Sequence, residues 1–253
     1  MTDLHTHILP GIDDGAHSAE ESLSLLRAER DSGVTAVMLT PHYFPEAETP
    51  DNFLRRRADA YETLQRKLDT LDMSERASLP TLHLSAEVAW GPNICVWPDL
   101  DRLCCPSGGQ YLLLELPSMP WDSALIRKLY DLMSRTGLIP ILAHIDRYLS
   151  TQPKEIINEL LGMGLPAQIS ADTLLHAATR HSAMQLIRQN RVQFIVSDCH
   201  KIPERAPRIG DAAAVLRFRL GNQCAETFLK QSDEFLALLT DTRETGSPRS
   251  NMQ

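Results

Sequence analysis

The residues best able to do chemistry in this chain are histidines and carboxylates, and they fall at the ends of apolar runs. Asp3, His5 and His7 open the sequence, and Asp13 and Asp14 follow closely. His42 comes just after the apolar run 36–40, and Glu87 and Glu115 close the next two runs. His144 ends the run 139–144, while Asp198 and His200 lie beyond Phe194-Ile195-Val196. Imidazole nitrogens and carboxylates together suit Zn, Mn or Fe, and a carboxylate such as Glu87 can bridge two ions. Closely spaced ions lower the pKa of bound water and clamp the oxygens of a phosphoryl group. Phosphate-ester hydrolysis is the chemistry this set points to. Arg147, just after His144, could grip a phosphate through a bidentate fork.

Each member is weak alone. His5 and His7 share a face if the segment is a strand, but that spacing is only permissive. His42 after Pro41 could be a turn residue. Glu115 is harder to dismiss, because a carboxylate inside the run Leu112–Leu116 is costly to bury without a cationic partner. His144 and Asp198 repeat that pattern. Recurrence at one end of successive strands is what chance does not supply.

The elements that would position these side chains alternate. Strands are expected over residues 4–5, 36–40, 81–87, 111–115, 139–144, 167–170 and 193–196. Helices are expected over 18–32, 50–71, 121–136, 153–163, 173–190, 207–216 and 225–239. The first helix opens on Ser18-x-x-Glu21, a capping-box pattern, with Leu23, Leu26 and Ala28 placed to face inward. Strand–helix alternation implies parallel strands joined by crossover helices, in an open sheet or a closed barrel. In a parallel barrel the C-terminal strand ends open on one face, where active sites assemble. The segment 90–109 is irregular, and the polar tail 241–253 is expected to fray. Residues 1–240 are expected to form one domain.

Composition narrows the partners. The chain has 253 residues, 43% hydrophobic and 23% charged, which suits a real core rather than a solvated, disordered chain. The formal net charge of -8 disfavours nucleic acid, though bound cations can reverse the field locally. The five cysteines are odd in number and include no CxxC pair, which argues for reduced thiols in a cytoplasmic protein. No signal peptide and no run long enough for membrane insertion is visible.

The combined motifs resemble the PHP (polymerase and histidinol phosphatase) superfamily. The opening Asp3-Leu-His-Thr-His-Ile-Leu-Pro-Gly-Ile-Asp-Asp-Gly-Ala16 is similar to the CpsB/YwqE-type bacterial protein-tyrosine phosphatases of capsule and exopolysaccharide clusters. Thr40-Pro-His42, Ala86-Glu87-Val88, Leu114-Glu115-Leu116, Ala143-His144 with Arg147-Tyr148, and Ser197-Asp198-Cys-His200 agree in order. The resemblance implies a distorted (β/α)7 barrel with three divalent or trivalent metal ions, Mn foremost, with Fe, Zn or Mg as alternatives. His5, His7, Glu87 and Asp198 would hold one ion. Glu87, Glu115 and His144 would hold a second, and Asp14, His42 and His200 a third. Arg147 would bind phosphate, and Asp198 or His200 would assist proton transfer to the leaving oxygen. Asp3 and Asp13 would stand behind the ligands, Asp3 orienting a histidine. The implied partner is an autophosphorylated bacterial tyrosine kinase that controls polysaccharide chain length. Departures at five positions leave every implied ligand in place. Ile145 and Asp146 stand where the family usually has Pro and Glu, Tyr43 where a second His is frequent, Ser85 where Gly is preferred, and Trp90 near a usual Tyr.

Three other readings compete. Cys199-His-Lys-Ile-Pro-Glu-Arg205 formally satisfies the Cys-x5-Arg pattern of a thiol phosphatase. Pro203 deletes an amide from the phosphate cradle that such an enzyme needs, and no glycine is present. A PHP phosphatase acting on histidinol phosphate or a nucleotide would use the same metal chemistry. A non-catalytic metal-binding module would have no use for Arg147.

Overall fold

Apolar runs bounded by polar turns form the strands of this protein, and amphipathic segments form the helices between them. A computed structural model describes residues 1–104 and 108–241. The strands are β1 (Thr2–Thr6), β2 (Ala36–Leu39), β3 (His42–Tyr43), β4 (Thr81–Leu84), β5 (Glu87–Ala89), β6 (Tyr111–Glu115), β7 (Ile139–Leu142), β8 (Gln168–Ser170) and β9 (Phe194–Val196). The helices are α1 (Ala19–Asp31), α2 (Pro50–Leu68), α3 (Met73–Ser78), α4 (Ser123–Thr136), α5 (Lys154–Gly162), α6 (Ala171–Leu175), α7 (Ala177–Arg188), α8 (Ile209–Leu220) and α9 (Asn222–Asp241).

All strand pairs are parallel and fall into three sheets, ordered β1-β2-β4, β3-β5-β6-β7 and β8-β9. The expected run 36–40 ends at Leu39, and the chain resumes pairing at His42. Pro41 has no N–H to give to a ladder, which accounts for the interruption. Its carbonyl still accepts from Glu87 N at 3.1 Å, and Leu39 O accepts from Ser85 N at 2.9 Å. Isolated parallel bridges join Thr6 to Cys199 and Leu142 to Ala167. Across the first, Asp198 N donates to His5 O at 3.0 Å and His7 N to Cys199 O at 2.9 Å. Where the resemblance implied one closed barrel, the described strands form three parallel sheets.

Helix signals hold at their starts better than at their ends. Ser18 Oγ accepts from Glu21 N at 3.2 Å, while the Glu21 carboxylate reaches back to the amide of His17 rather than Ser18. Leu23, Leu25, Leu26 and Glu29 are buried along α1; Ala28, expected inside, is half-buried. The expected helix 50–71 stops at Leu68, and α3 follows it. The expected helix 173–190 divides into α6 and α7 at His176, whose extended backbone interrupts the turn. Asp241, counted with the fraying tail, closes α9; the rest of that tail lies outside the described residues, as does Cys105.

One cluster of buried side chains runs from Ile8 to Leu229 and holds Phe53 and Leu64 of α2 against the sheets. Fully burying each such side chain contributes about 1.5–3 kcal/mol relative to exposure. Among the described residues no helix is long and apolar enough to cross a membrane.

Candidate metal centre

The chemistry-bearing side chains meet where β1, β6, β7 and β9 end and where β3 and β5 begin, so Glu87, expected to close a strand, opens one instead. β1 delivers His5 and, just past its end, His7. Both imidazoles are fully buried, with Nε2 atoms 3.1 Å apart. β5 begins on Glu87, whose Oε2 lies 3.1 Å from His5 Nε2, 3.3 Å from His7 Nε2 and 3.0 Å from His42 Nδ1. The other oxygen, Oε1, lies 2.8 Å from His144 Nε2. Glu115, at the end of β6, stands 3.7 Å from His144 Nε2 and 3.9 Å from His42 Nδ1. Asp14 Oδ1 reaches 3.4 Å from His200 Nε2 and 3.6 Å from His42 Nε2. Asp198 Oδ1 is 3.8 Å from His5 Nε2 and 3.6 Å from His7 Nε2.

The groups behind these side chains fix which nitrogen faces inward. His7 Nδ1 donates to Asp13 Oδ2 at 2.7 Å. His5 Nδ1 lies 2.9 Å from Gln168 Oε1, and His200 Nδ1 lies 3.0 Å from the carbonyl of Asp198. A donor bond at Nδ1 leaves Nε2 as the lone-pair nitrogen, the form in which imidazole binds a cation. Asp13 does more than hold His7, since it also accepts from Gly15 N and His42 N, each at 3.0 Å. The segment 9–15 thereby folds across His7, and Gly15 passes so close that an added Cβ would lie 2.1 Å from His7 O.

Asp3 is buried here, but it does not orient a ring. It accepts from the backbone amides of His5 at 3.1 Å and Ser197 at 3.2 Å, tying β1 to the chain after β9. Gln168 holds the His5 ring instead. Two ligand positions carry uncommon backbone geometry: His144 has φ 26° and Asp198 φ 52°. Non-glycine residues in this region cost on the order of 1–3 kcal/mol and concentrate at functional sites.

Histidines and carboxylates in the cluster shift one another strongly. Burial works against the imidazolium of His7, yet Asp13 and Glu87 outweigh it and lift this group to about 10. Burial raises Asp13, and the opposing bonds from His7, Gly15 and His42 bring it down to about 2. Asp198 also reaches about 2, against burial, because His5, Arg147 and His7 surround it. Burial and the neighbouring His7 press His200 down to about 3. Several ligand atoms remain unsatisfied. Glu87 Oε2, His42 Nδ1 and His200 Nε2 are buried with no hydrogen-bond partner. The 3.0 Å approach of His42 to Glu87 is short, but it is too poorly aligned to be a hydrogen bond. Buried, convergent and unpartnered donors of this kind fit divalent cations.

Ligand atoms within 4.8 Å of one another fall into the groups His7–Asp14–His42–His200, His5–His7–Glu87 and His42–Glu87–Glu115. Those groups overlap at His7, His42 and Glu87 and so divide the site less sharply than the implied three sets. Arg147 pairs with Asp198 through Nη2, and its Nη1 lies 3.9 Å from Glu115. Arg205 Nη2 lies 2.8 Å from the same Asp198 carboxylate. Sequence reasoning assigned Arg205 only to the thiol-phosphatase pattern. Cys199 itself is fully buried, and burial together with Glu29 pushes its thiol up, so this pattern makes no nucleophile.

These features define a parallel α/β protein with a buried histidine–carboxylate centre suited to cations. The family model for capsular polysaccharide synthesis, CpsB/CapC, matches residues 1–237, and the chain belongs to that family. It is 30% identical over 211 residues to CapC of Staphylococcus aureus, covering 81% of this chain and 79% of that protein. It is 24% identical over 258 residues to the tyrosine-protein phosphatase YwqE of Bacillus subtilis, covering 98% and 96%. Among solved structures it resembles those of YwqE from Bacillus subtilis and CpsB from Streptococcus pneumoniae, metal-dependent tyrosine phosphatases. The TM-score is 0.74 at 25% identity, over 95% of this chain and 94% of that one. An inactive dihydroorotase-like domain from Chaetomium thermophilum shares the fold alone, with a TM-score of 0.52 at 10% identity, over 93% and 78%.

Proposed function

We propose that residues 1–240 act as one metal-dependent phosphatase that hydrolyses phosphotyrosine on a protein partner in capsule or exopolysaccharide synthesis. The observation that carries this reading is the convergence of His5, His7, His42 and Glu87 around shared ligand atoms, with His144 2.8 Å from Glu87 and Asp198 3.6 Å from His7. The parallel neighbours and linking bridges are read as a distorted (β/α)7 barrel of PHP type. His5, His7, Glu87 and Asp198 would hold one ion, Glu87, Glu115 and His144 a second, and Asp14, His42 and His200 a third, with Mn foremost and Fe, Zn or Mg as alternatives. When bound, such ions supply Lewis acidity toward a phosphoryl group and lower the pKa of water.

The protein's own groups do the rest. Arg147 is about two-fifths exposed at its side chain, so it can turn from Asp198 to an incoming phosphate. Its fork offsets charge that grows on the phosphoryl oxygens. Asp198 faces both Arg147 and Arg205 and stays a carboxylate, which suits it to hold cations rather than to donate a proton. His200, neutral, with Nδ1 against the Asp198 carbonyl and Nε2 turned to the third ion, has no proton to spare for the leaving oxygen, and a phenol of pKa ~10 needs little such help. The partner that fits is an autophosphorylated bacterial tyrosine kinase, met in the cytoplasm.

The test is elemental analysis of the purified protein beside turnover of a phosphotyrosine peptide and of histidinol phosphate. Bound metal and peptide turnover that is lost with EDTA and restored by Mn are expected. Full activity in EDTA, or a higher kcat/KM on histidinol phosphate, would overturn this assignment.

A further inference from the structure

Beside the metal centre lies a cleft of about 410 Å³, within the range of small-ligand pockets. Its inner wall is made of Glu115 and Arg147, the two side chains that also border the ligand cluster. Its outer walls differ in chemistry: Trp90, Pro117 and Tyr148 are apolar, and the exposed Thr151 stands at the rim. Tyr148 is held rigid there. Its hydroxyl donates to Leu116 O at 2.6 Å, and its ring rests against Trp121 at a centroid distance of 4.7 Å. The backbone of Trp90 is fixed by its amide, which donates to Glu115 O at 2.8 Å, and its half-buried indole packs on the core. A group that places its phosphate near Glu115 and Arg147 has this recess next to it, lined by the rings of Trp90 and Tyr148.

We infer that this cleft is a slot for the aryl ring of the substrate, with Trp90 as its stacking platform and Tyr148 and Pro117 as its walls. This inference rests on the phosphotyrosine reading above and deepens it. A phenyl ring seated on an indole face gains offset-stacking attraction beyond its buried area. The alkyl ester of a phosphoserine would leave the slot largely unfilled. Because Tyr148 gives its only proton to a carbonyl, it shapes the slot and takes no part in proton transfer. Selectivity for aryl esters thus comes from residues outside the ligand cluster.

Binding of phenylphosphonate and methylphosphonate to the metal-loaded protein, measured by calorimetry, tests the slot without turnover. The wild type is expected to prefer phenylphosphonate by about tenfold, the scale of one well-made aromatic contact with its buried area. Trp90→Ala should collapse that ratio towards one and raise KM for a phosphotyrosine peptide about tenfold at unchanged metal content. Trp90→Phe should restore most of the preference. Thr151→Trp, made at an exposed rim position, should narrow the slot and weaken phenylphosphonate more than methylphosphonate. A phenyl preference that survives both Trp90→Ala and Thr151→Trp, in a protein that hydrolyses phosphotyrosine, overturns the slot and leaves the activity standing. A Trp90-dependent phenyl preference in a protein that hydrolyses no aryl phosphate supports the slot and sinks the activity.

Discussion

Replacing Asp13 by Ala should loosen the metal centre without touching a proposed ligand. Asp13 accepts three hydrogen bonds, from His7 Nδ1 at 2.7 Å and from the amides of Gly15 and His42 at 3.0 Å. Its side chain is only 4% exposed, so water cannot replace these bonds. An alanine keeps no acceptor, so His7 Nδ1 and the amides of Gly15 and His42 all lose their partner. The His7 ring then loses the bond that presents Nε2 to an ion. Loss of such an orienting partner lowers metal affinity about 10–100-fold, or about 1.4–2.7 kcal/mol. Competition with a fluorescent chelator at neutral pH reads this directly, and circular dichroism checks that the fold is kept. If Asp13→Ala bound Mn within twofold of wild type, the role of Asp13 in presenting His7 would be refuted.

Gly15→Ala should act through space rather than charge. The new methyl would meet His7 O at 2.1 Å, a backbone atom that cannot swing aside, and overpacking of this kind costs about 1–3 kcal/mol. Thermal unfolding of the metal-free protein should show the loss, whereas Gly162→Ala, with no atom within 4 Å of its Cβ, should be neutral or stabilising. Glu29→Gln should flatten the pH dependence of stability. Burial, then the nearby Asp3, hold the Glu29 carboxyl well above the ordinary range, so the native state keeps a proton that the unfolded chain releases. That contribution is fully present below the ordinary carboxylate range and is lost as pH rises through the raised value. The Gln variant titrates nowhere in this window, and urea unfolding at pH 5 and pH 8 should show a smaller difference than in wild type. An equal or larger difference would contradict a protonated Glu29.

Most of the ligand cluster was legible because strand ends in a parallel fold point to one place. Glu87, Glu115 and His144 each interrupt or end an apolar run, and a charge there asks for a partner. What supports the ligands was harder to read. Gln168 follows Ala167 in a short strand, and nothing in its type says that it holds His5 rather than facing water. Glu29 did leave a signal, since it extends the Leu25-Leu26 face of α1 at helical spacing, where an exposed acid would not be expected. Asp3 was expected to orient a histidine, and its contact with backbone amides instead depends on how β1 meets the chain after β9, a pairing nearly two hundred residues apart. The division of the strands into three sheets turned on Pro41 and on register, which composition does not report. Arg205 was read through a familiar spacing with Cys199, and three-dimensional proximity to Asp198 gave it a different partner.

The joining of β1 to the segment after β9 also governs when this protein can become complete during its own synthesis. His5 and His7 emerge from the ribosome nearly two hundred residues before Asp198 and Cys199, whose backbone pairs with theirs through His5 O and Cys199 O. Pairings this distant in sequence must bear a large closure entropy before they return any contact energy, and they form late. A nascent chain therefore carries these two histidines with no finished cage around them until the segment after β9 has been made. Ions captured early would be held loosely and exchangeably. The final choice of metal then falls to the moment of closure, when the cellular supply of free ions, as much as the ligand set, decides what is trapped.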